Sequence, residues 1–172
     1  PYQSPYAAYK HVGEEICKMY KKTYKMDIEI ARFYNVYGPG EIVGNEDTHA
    51  AVLGIWRDRI KNNQPLPIVG DGKQCRDFTH VDYIVDALWR IGMKNEEHKD
   101  AWELGTGITH AIEEVYQMFR DHFGNTSYVD YVRLPDQSGN YRRSVADPRE
   151  AKERLGWVVK DKLKDYIFSL WK

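Results

Sequence analysis

Near the start of the chain, apolar side chains recur at Ala8, Val12, Ile16, Met19 and Tyr20, at intervals of three and four with one adjacent pair. That period predicts an amphipathic helix. Ser4 is a favoured N-cap and Pro5 fits the first helical position, so the helix is expected over residues 5–24. Over residues 27–33 the period shortens to two, which reads as a strand, and Gly38-Pro39-Gly40 turns the chain after it. The polar stretch 40–48 is expected to be a mobile loop over a site. Thr48 would then cap a second helix to about residue 62, with Ala51, Val52, Ile55, Trp56 and Ile60 on its apolar face.

The remaining pattern continues in alternation. Residues 67–69 read as a strand, 70–73 as a tight turn and 76–81 as a further strand, after which Asp82 opens a helix. A strand over 101–104 ends in Gly105-Thr106-Gly107, and a helix from Thr109 or His110 runs to about Phe123. A strand over 128–132, a polar loop over 134–143, a short helix over 149–155 closed by Gly156, and a terminal helix over 160–171 complete the chain. Helices alternating with strands point to an α/β fold with a parallel sheet, whose ligands sit beyond the carboxyl ends of the strands.

The 172 residues are 42% hydrophobic and 30% charged, with a net charge of −1. That is a globular chain, and the charge balance offers nothing for wholesale nucleic-acid or bilayer binding. Lys18-Met19-Tyr20-Lys21-Lys22 reads as a solvated helix face rather than a nucleic-acid stripe. Cys17 and Cys75 lack metal-ligand spacing and read as reduced thiols of a cytoplasmic protein, although two cysteines leave a disulfide open, and no metal site is expected.

Tyr6 and Lys10 lie one turn apart on the first helix, with Glu14 a turn further on. An ammonium group beside a phenol favours the phenolate, which can exchange a proton with a sugar hydroxyl. With 13 tyrosines in the chain, the pair alone equally describes an exposed Tyr and Lys. Asn35, at a strand end, reads either as a donor to a phosphate or carbonyl or as a turn cap.

Five blocks in order give the pair a context. They are Ser4-Pro5-Tyr6-Ala7-Ala8-Tyr9-Lys10, residues 32–40, residues 70–81 with Arg76-Asp77-Phe78-Thr79-His80-Val81, Glu103-Leu104-Gly105-Thr106-Gly107, and Asp147 with Ala151, Leu155, Gly156 and Trp157. Together they resemble the extended short-chain dehydrogenase/reductase family, in particular its nucleotide-sugar epimerases and dehydratases. The resemblance implies the C-terminal part of a Rossmann-like NAD-binding fold with a small α/β substrate lobe. Residues 1–40 would belong to the cofactor domain. Residues 41–172 would be mainly the substrate lobe, with a segment near 67–93 returning to the cofactor domain. Tyr6 would be the acid/base, and Lys10 would tune it and bind the nicotinamide ribose. Phe33 and Val36 would pass the cofactor, which is NAD with NADP left open. Asn35 and Arg76 would meet the substrate diphosphate. Phe78 would line the nucleotide pocket or fill the core, and His80 would hold its junction.

Two departures from the family pattern carry expectations of their own. The family's Arg-x-Gly-Asp stretch is Gln137-Ser138-Gly139-Asn140 here, leaving Asn140 to contact the nucleotide and Arg142 or Arg143 to replace the arginine. No Gly-x-x-Gly-x-x-Gly turn occurs anywhere in the sequence. The resemblance therefore covers about the C-terminal half of such an enzyme, as a truncation, a partial gene or one piece of a split protein, and the isolated chain is expected to be inactive. A UDP-hexose 4-epimerase is the favoured reading. A 4,6-dehydratase and a non-catalytic nucleotide-sugar or partner-binding module are the alternatives. The resemblance also implies a homodimer whose seam would use Ala7, Ala8 and Met19 of the first helix and Trp56 of the second.

Overall fold

Two separate clusters of buried side chains organise the molecule, and the strands follow them. The computed structural model describes residues 4–44, 50–94, 98–125, 127, 129–136 and 139–171. In chain order its elements are α1 (Pro5–Tyr24), β1 (Ile30–Phe33), β2 (Val36–Tyr37), α2 (Val52–Lys61), β3 (Leu66–Val69), β4 (Cys75–Asp77) and β5 (Thr79–His80). There follow α3 (Val81–Met93), β6 (Ala101–Leu104), β7 (Thr109–Ala111), α4 (Ile112–Phe123), β8 (Tyr131–Leu134), β9 (Arg143–Ser144), α5 (Arg149–Leu155) and α6 (Leu163–Ser169).

The first unit is built on a parallel pair, β1 with β6, in which Ile30 faces Ala101 and Phe33 faces Leu104. Ile84, Ala87 and Ile91 of α3 cover it together with Trp102, Leu104, Ala151, Leu155 and Trp157. The chain α1–β1 and the chain β5–α3–β6 are the helix–strand alternation legible in the sequence, and β2 pairs parallel with β5 to continue it. The second unit surrounds Trp56, Phe119 and Phe123, with α2, β3, α4 and α6 contributing Leu53, Leu66, Val115, Leu163 and Ile167. Of the segment 67–93, β3 thus packs in the second unit while α3 packs in the first.

Each fully buried tryptophan finds an acceptor for its indole N–H, as an apolar ring with one polar edge requires. Trp56 donates to Pro67 O at 3.0 Å, Trp102 to Glu29 at 2.7 Å and Trp157 to Tyr83 O at 2.9 Å. This corrects the expected subunit seam: Trp56 is a core residue with 0% exposure, because the apolar face of α2 is already covered by α4.

Other boundaries shift where tertiary pairing competes with local preference. Thr109–Ala111 is not the first turn of α4 but a strand, because antiparallel pairing with β4 claims its backbone. The 76–81 strand breaks at Phe78 into β4 and β5, which join different sheets. The turn at 70–73 closes no hairpin, since β3 pairs with β8 and not with β4. Strand 27–33 keeps only its last four residues, 128–132 moves on to Tyr131–Leu134, and the terminal helix contracts to Leu163–Ser169. Thr48 and Tyr128 lie outside the described residues, and α2 begins at Val52. Cys17 and Cys75 are both free thiols. No described helix is long and apolar enough to cross a membrane.

Replacing Trp56 with Ala empties the centre of the second cluster. We expect a loss of about 3–5 kcal/mol, read as a lowered urea midpoint.

Candidate active site

Helix α1 starts where Ser4 Oγ accepts the amide of Ala7 at 3.2 Å, and Lys25 ends it in the left-handed region at φ 55°. None of its residues is fully buried, so charge rather than packing fixes its position. Arg32 of β1 donates two hydrogen bonds to Glu14, at 2.7 and 2.6 Å. Further along the helix, Lys21 donates to Ile28 O and to Glu29, earlier in the strand direction. The helix therefore runs antiparallel to β1. Its first turns project past the strand's carboxyl end, with Lys10 about 6 Å beyond Glu14 at 1.5 Å per residue. That is the level at which Phe33, Tyr34 and Asn35 leave the sheet. Tyr6 is 70% exposed and Lys10 Nζ sits 5.5 Å from the centre of its ring. Phe33, at the strand end, is 51% exposed, whereas Val36 is partly buried against the first cluster.

Asn35 adopts a positive φ of 31° and donates its amide to Asp77 O at 2.8 Å. Its own carbonyl accepts from Thr79 N at 3.3 Å. The amide thus donates to a carbonyl of a distant strand, and the same bond brings the end of β1 to the end of β4. There Asp77, with 0% exposure, collects four donors. Thr106 N and Thr106 Oγ1 donate to Oδ1 at 3.0 and 2.7 Å, and Gly107 N and Ala146 N donate to Oδ2 at 2.9 and 3.2 Å. A buried carboxylate is tolerated on such terms because its lone pairs are satisfied by fixed N–H and O–H groups. Gly105 allows the approach: a Cβ there would stand 2.4 Å from Ala146 Cβ and 2.7 Å from Asp77 Oδ2.

Arg76, the neighbour of Asp77 on β4, has no carboxylate partner among the described residues. Its guanidinium donates to Asn140 Oδ1 at 2.6 Å, Tyr141 O at 2.6 Å and Cys75 O at 2.9 Å. Partial burial holds its pKa below the usual arginine value, and no acid compensates. Asn140 in turn donates to Asp136 at 2.9 Å, so it buttresses Arg76. Arg142 is engaged by Asp71 at 2.8 and 3.1 Å, and Arg143 is exposed with no ion pair among the described residues. Gln137 and Ser138 lie outside the described residues. Phe78 is 2% exposed in the second cluster; it fills the core rather than lining a surface. His80 holds its junction, with Nδ1 accepting from Asp82 N at 3.3 Å as the cap of α3.

Three groups escaped the sequence reading. Asp77 was visible only as the companion of Arg76; an acid in a short strand near a Gly-x-Gly turn was the available signal. His110, opposite Arg76 in the β4–β7 pair, bonds Asp161 at 2.6 Å. Asp161 raises the His110 pKa, and His110 lowers that of Asp161. Tyr166 of α6 accepts from Arg57 and donates to Glu41, both at 3.1 Å, tying the segment after Gly40 to the C-terminal helix. Burial pushes the phenols of Tyr34 and Tyr166 up to about 12, and that of Tyr37 up as well, so these three stay protonated at neutral pH.

A model of the NAD dependent epimerase/dehydratase family matches residues 1–105. The UDP-glucose 4-epimerase of Mycolicibacterium smegmatis is 33% identical over 156 residues, which are 90% of this chain and 47% of that protein. Among solved structures, UDP-glucose 4-epimerase with UDP-glucose from Thermotoga maritima superposes with a TM-score of 0.83 at 28% identity, over 96% of this chain and 51% of that one. MoeE5 in complex with UDP-glucuronic acid and NAD gives a TM-score of 0.78 at 26% identity, over 96% and 53%. The chain spans about half the length of the curated relatives it matches.

The His110–Asp161 pair gives a pH dependence of known sign. A histidine whose pKa is raised by folding contributes fully below its ordinary value near about 6.5, and that contribution is lost as the pH rises through the raised value. The lowered acid contributes above about 3.9 and loses its share on acidification. Urea midpoints should therefore fall from mildly acidic to mildly alkaline pH in the native chain. They should fall less in His110→Gln; an unchanged slope would remove the pair from the account.

Proposed function

The chain belongs to the NAD dependent epimerase/dehydratase family, and from that premise we propose that it is the C-terminal portion of an NAD-dependent nucleotide-sugar epimerase acting on a UDP-hexose. The observation that carries this reading is Arg76. A half-buried guanidinium held by three oxygens and, among the described residues, by no acid, next to the residue that receives Asn35, suits an external anion. Its planar fork matches a diphosphate.

The residues at the strand ends fit the nicotinamide-ribose end of NAD. Tyr6 and Lys10 are exposed side by side, and Lys10 has no ion pair among the described residues. The sequence has no glycine-rich turn for the pyrophosphate. When bound, NAD supplies the acceptor and donor of a hydride. Tyr6 takes the proton of the sugar hydroxyl as the carbon beneath it is oxidised, and returns it when the keto sugar is reduced on its other face. Lys10 orients the ribose. Arg76 fixes the diphosphate, Asn140 and Tyr141 O aim the guanidinium, and Asn35 holds the two ends of the site together. A homodimer resting on the exposed face of α1, at Val12, Ile16 and Met19, belongs to the same proposal, without Trp56.

Titration of UDP-glucose into the 172-residue chain tests the substrate end. Arg76→Ala should weaken binding by roughly 10- to 100-fold, the worth of a charge-assisted hydrogen bond. Equal affinity in the variant would reject the assignment. NAD alone should give no measurable heat with this chain, and clear binding would show that the pyrophosphate is held by residues other than a glycine turn. A monomeric mass by sedimentation would dismiss the dimer.

A further inference from the structure

The lysines at the far end of α1 converge on a cleft that the proposed reaction leaves unused. Lys18, Lys21, Lys22, Lys25, Lys94 and Lys99 line an open cleft of about 1000 Å³. Among the described residues, Asp27 and Glu29 are the two carboxylates on its wall. It lies where the chain enters β1, at the opposite end of the strand from Phe33 and Asn35.

Its lysines have two roles. Three are anchored. Lys18 pairs with Glu15 at 3.0 Å and Asp100 at 3.6 Å, Lys21 donates to Ile28 O and His98 O at 3.0 and 3.1 Å, and Lys94 donates to Arg154 O at 2.6 Å. These bonds hold α1 and the end of α3 against the strand and shape the walls. The other three, Lys22, Lys25 and Lys99, are exposed and make no ion pair with any described residue. Lys25 is further fixed by its left-handed backbone at φ 55°. Glu96 and Glu97, adjacent in sequence, lie outside the described residues.

A concave surface dominated by one sign of charge concentrates the opposite ion. Ammonium groups bind phosphate as point charges, without the planar geometry that arginine imposes. The apolar lining is Met26 and Ile91, no Phe, Tyr or Trp stands among the described lining residues, and the His98 ring is buried against Trp102, so a nucleobase finds no exposed ring on which to stack. The volume suits a small molecule rather than a nucleic-acid strand. We propose that this cleft binds a compact polyphosphate anion, recognised through its phosphates alone and separately from the nucleotide-sugar site.

Sodium tripolyphosphate titrated calorimetrically into the 172-residue chain at low ionic strength should show a saturable site, retained in Arg76→Ala, that weakens with added salt. The double variant Lys22→Gln/Lys25→Gln should bind about tenfold more weakly, as loss of charge-assisted contacts requires. Lys99→Gln should be weaker as well. All three side chains are exposed, and unchanged circular dichroism and melting would show that the variants fold. Arg76→Ala should bind tripolyphosphate normally while losing UDP-glucose, which separates this proposal from the epimerase reading. A nucleoside triphosphate should match the inorganic ion. Absence of saturable binding, full affinity in the double variant, loss on Arg76→Ala, or a nucleoside triphosphate bound far more tightly than tripolyphosphate would each overturn it.

Discussion

The carboxylate of Asp77 is the point on which the two units of this molecule meet. It is fully buried and makes no ion pair among the described residues; four donors from two segments satisfy it instead. One segment follows β6 and another precedes α5, both attached to the first cluster, while Asp77 itself ends β4 in the lobe. The carbonyl of the same residue receives Asn35. A charge in this position would cost several kcal/mol if any of these donors were removed without replacement. That penalty makes the relative placement of β1, β4 and β6 nearly all-or-none. Arg76 inherits its position from that arrangement, since it is one residue away on a three-residue strand paired on both sides.

The opposite situation holds for α1. The helix that carries Tyr6 and Lys10 buries no residue completely and is held by partly exposed ion pairs. Such pairs contribute on the order of 0–1 kcal/mol each, with the bidentate Glu14–Arg32 contact at the stronger end. Val12, Ile16 and Met19 remain exposed along it. The proton-transfer end of the proposed site is therefore weakly supported within this chain, while the anion-binding end is rigid. That asymmetry follows from which surfaces the described residues cover, and it accords with a chain that spans about half the length of its relatives.

Arg76 and Arg142 show how partners decide what a residue can do. Both are arginines near the same sheet, and both had a claim on phosphate. Arg142 lies at the surface with Asp71, which neutralises it. Arg76 is half-buried among carbonyl and amide oxygens that orient it without cancelling its charge. Asn140, expected to touch the nucleotide, accepts from the guanidinium and donates to Asp136. The His110–Asp161 contact on the neighbouring strand adds a second charge pair near Arg76 that no sequence spacing announced.

By itself the sequence determined the elements whose signals are local. The caps at Ser4 and Gly156, the period of α1 and α3, and the 101–104 strand depend on contacts within a few residues and appear where the pattern placed them, and α4 ends at Phe123 as the pattern has it. It also determined the family, through ordered blocks that extend across nearly the whole chain. Tertiary structure decided what depends on distant partners. It sent Thr109–Ala111 into a strand, put Trp56 and Phe78 inside, spent the Asn35 amide on Asp77 O, and left Arg76 without an acid partner among the described residues. The reason is range: helix periods and caps are settled between neighbours on the chain, whereas burial, strand pairing and the neutralisation of charge are settled between residues tens of positions apart, whose proximity exists only once the two clusters have formed.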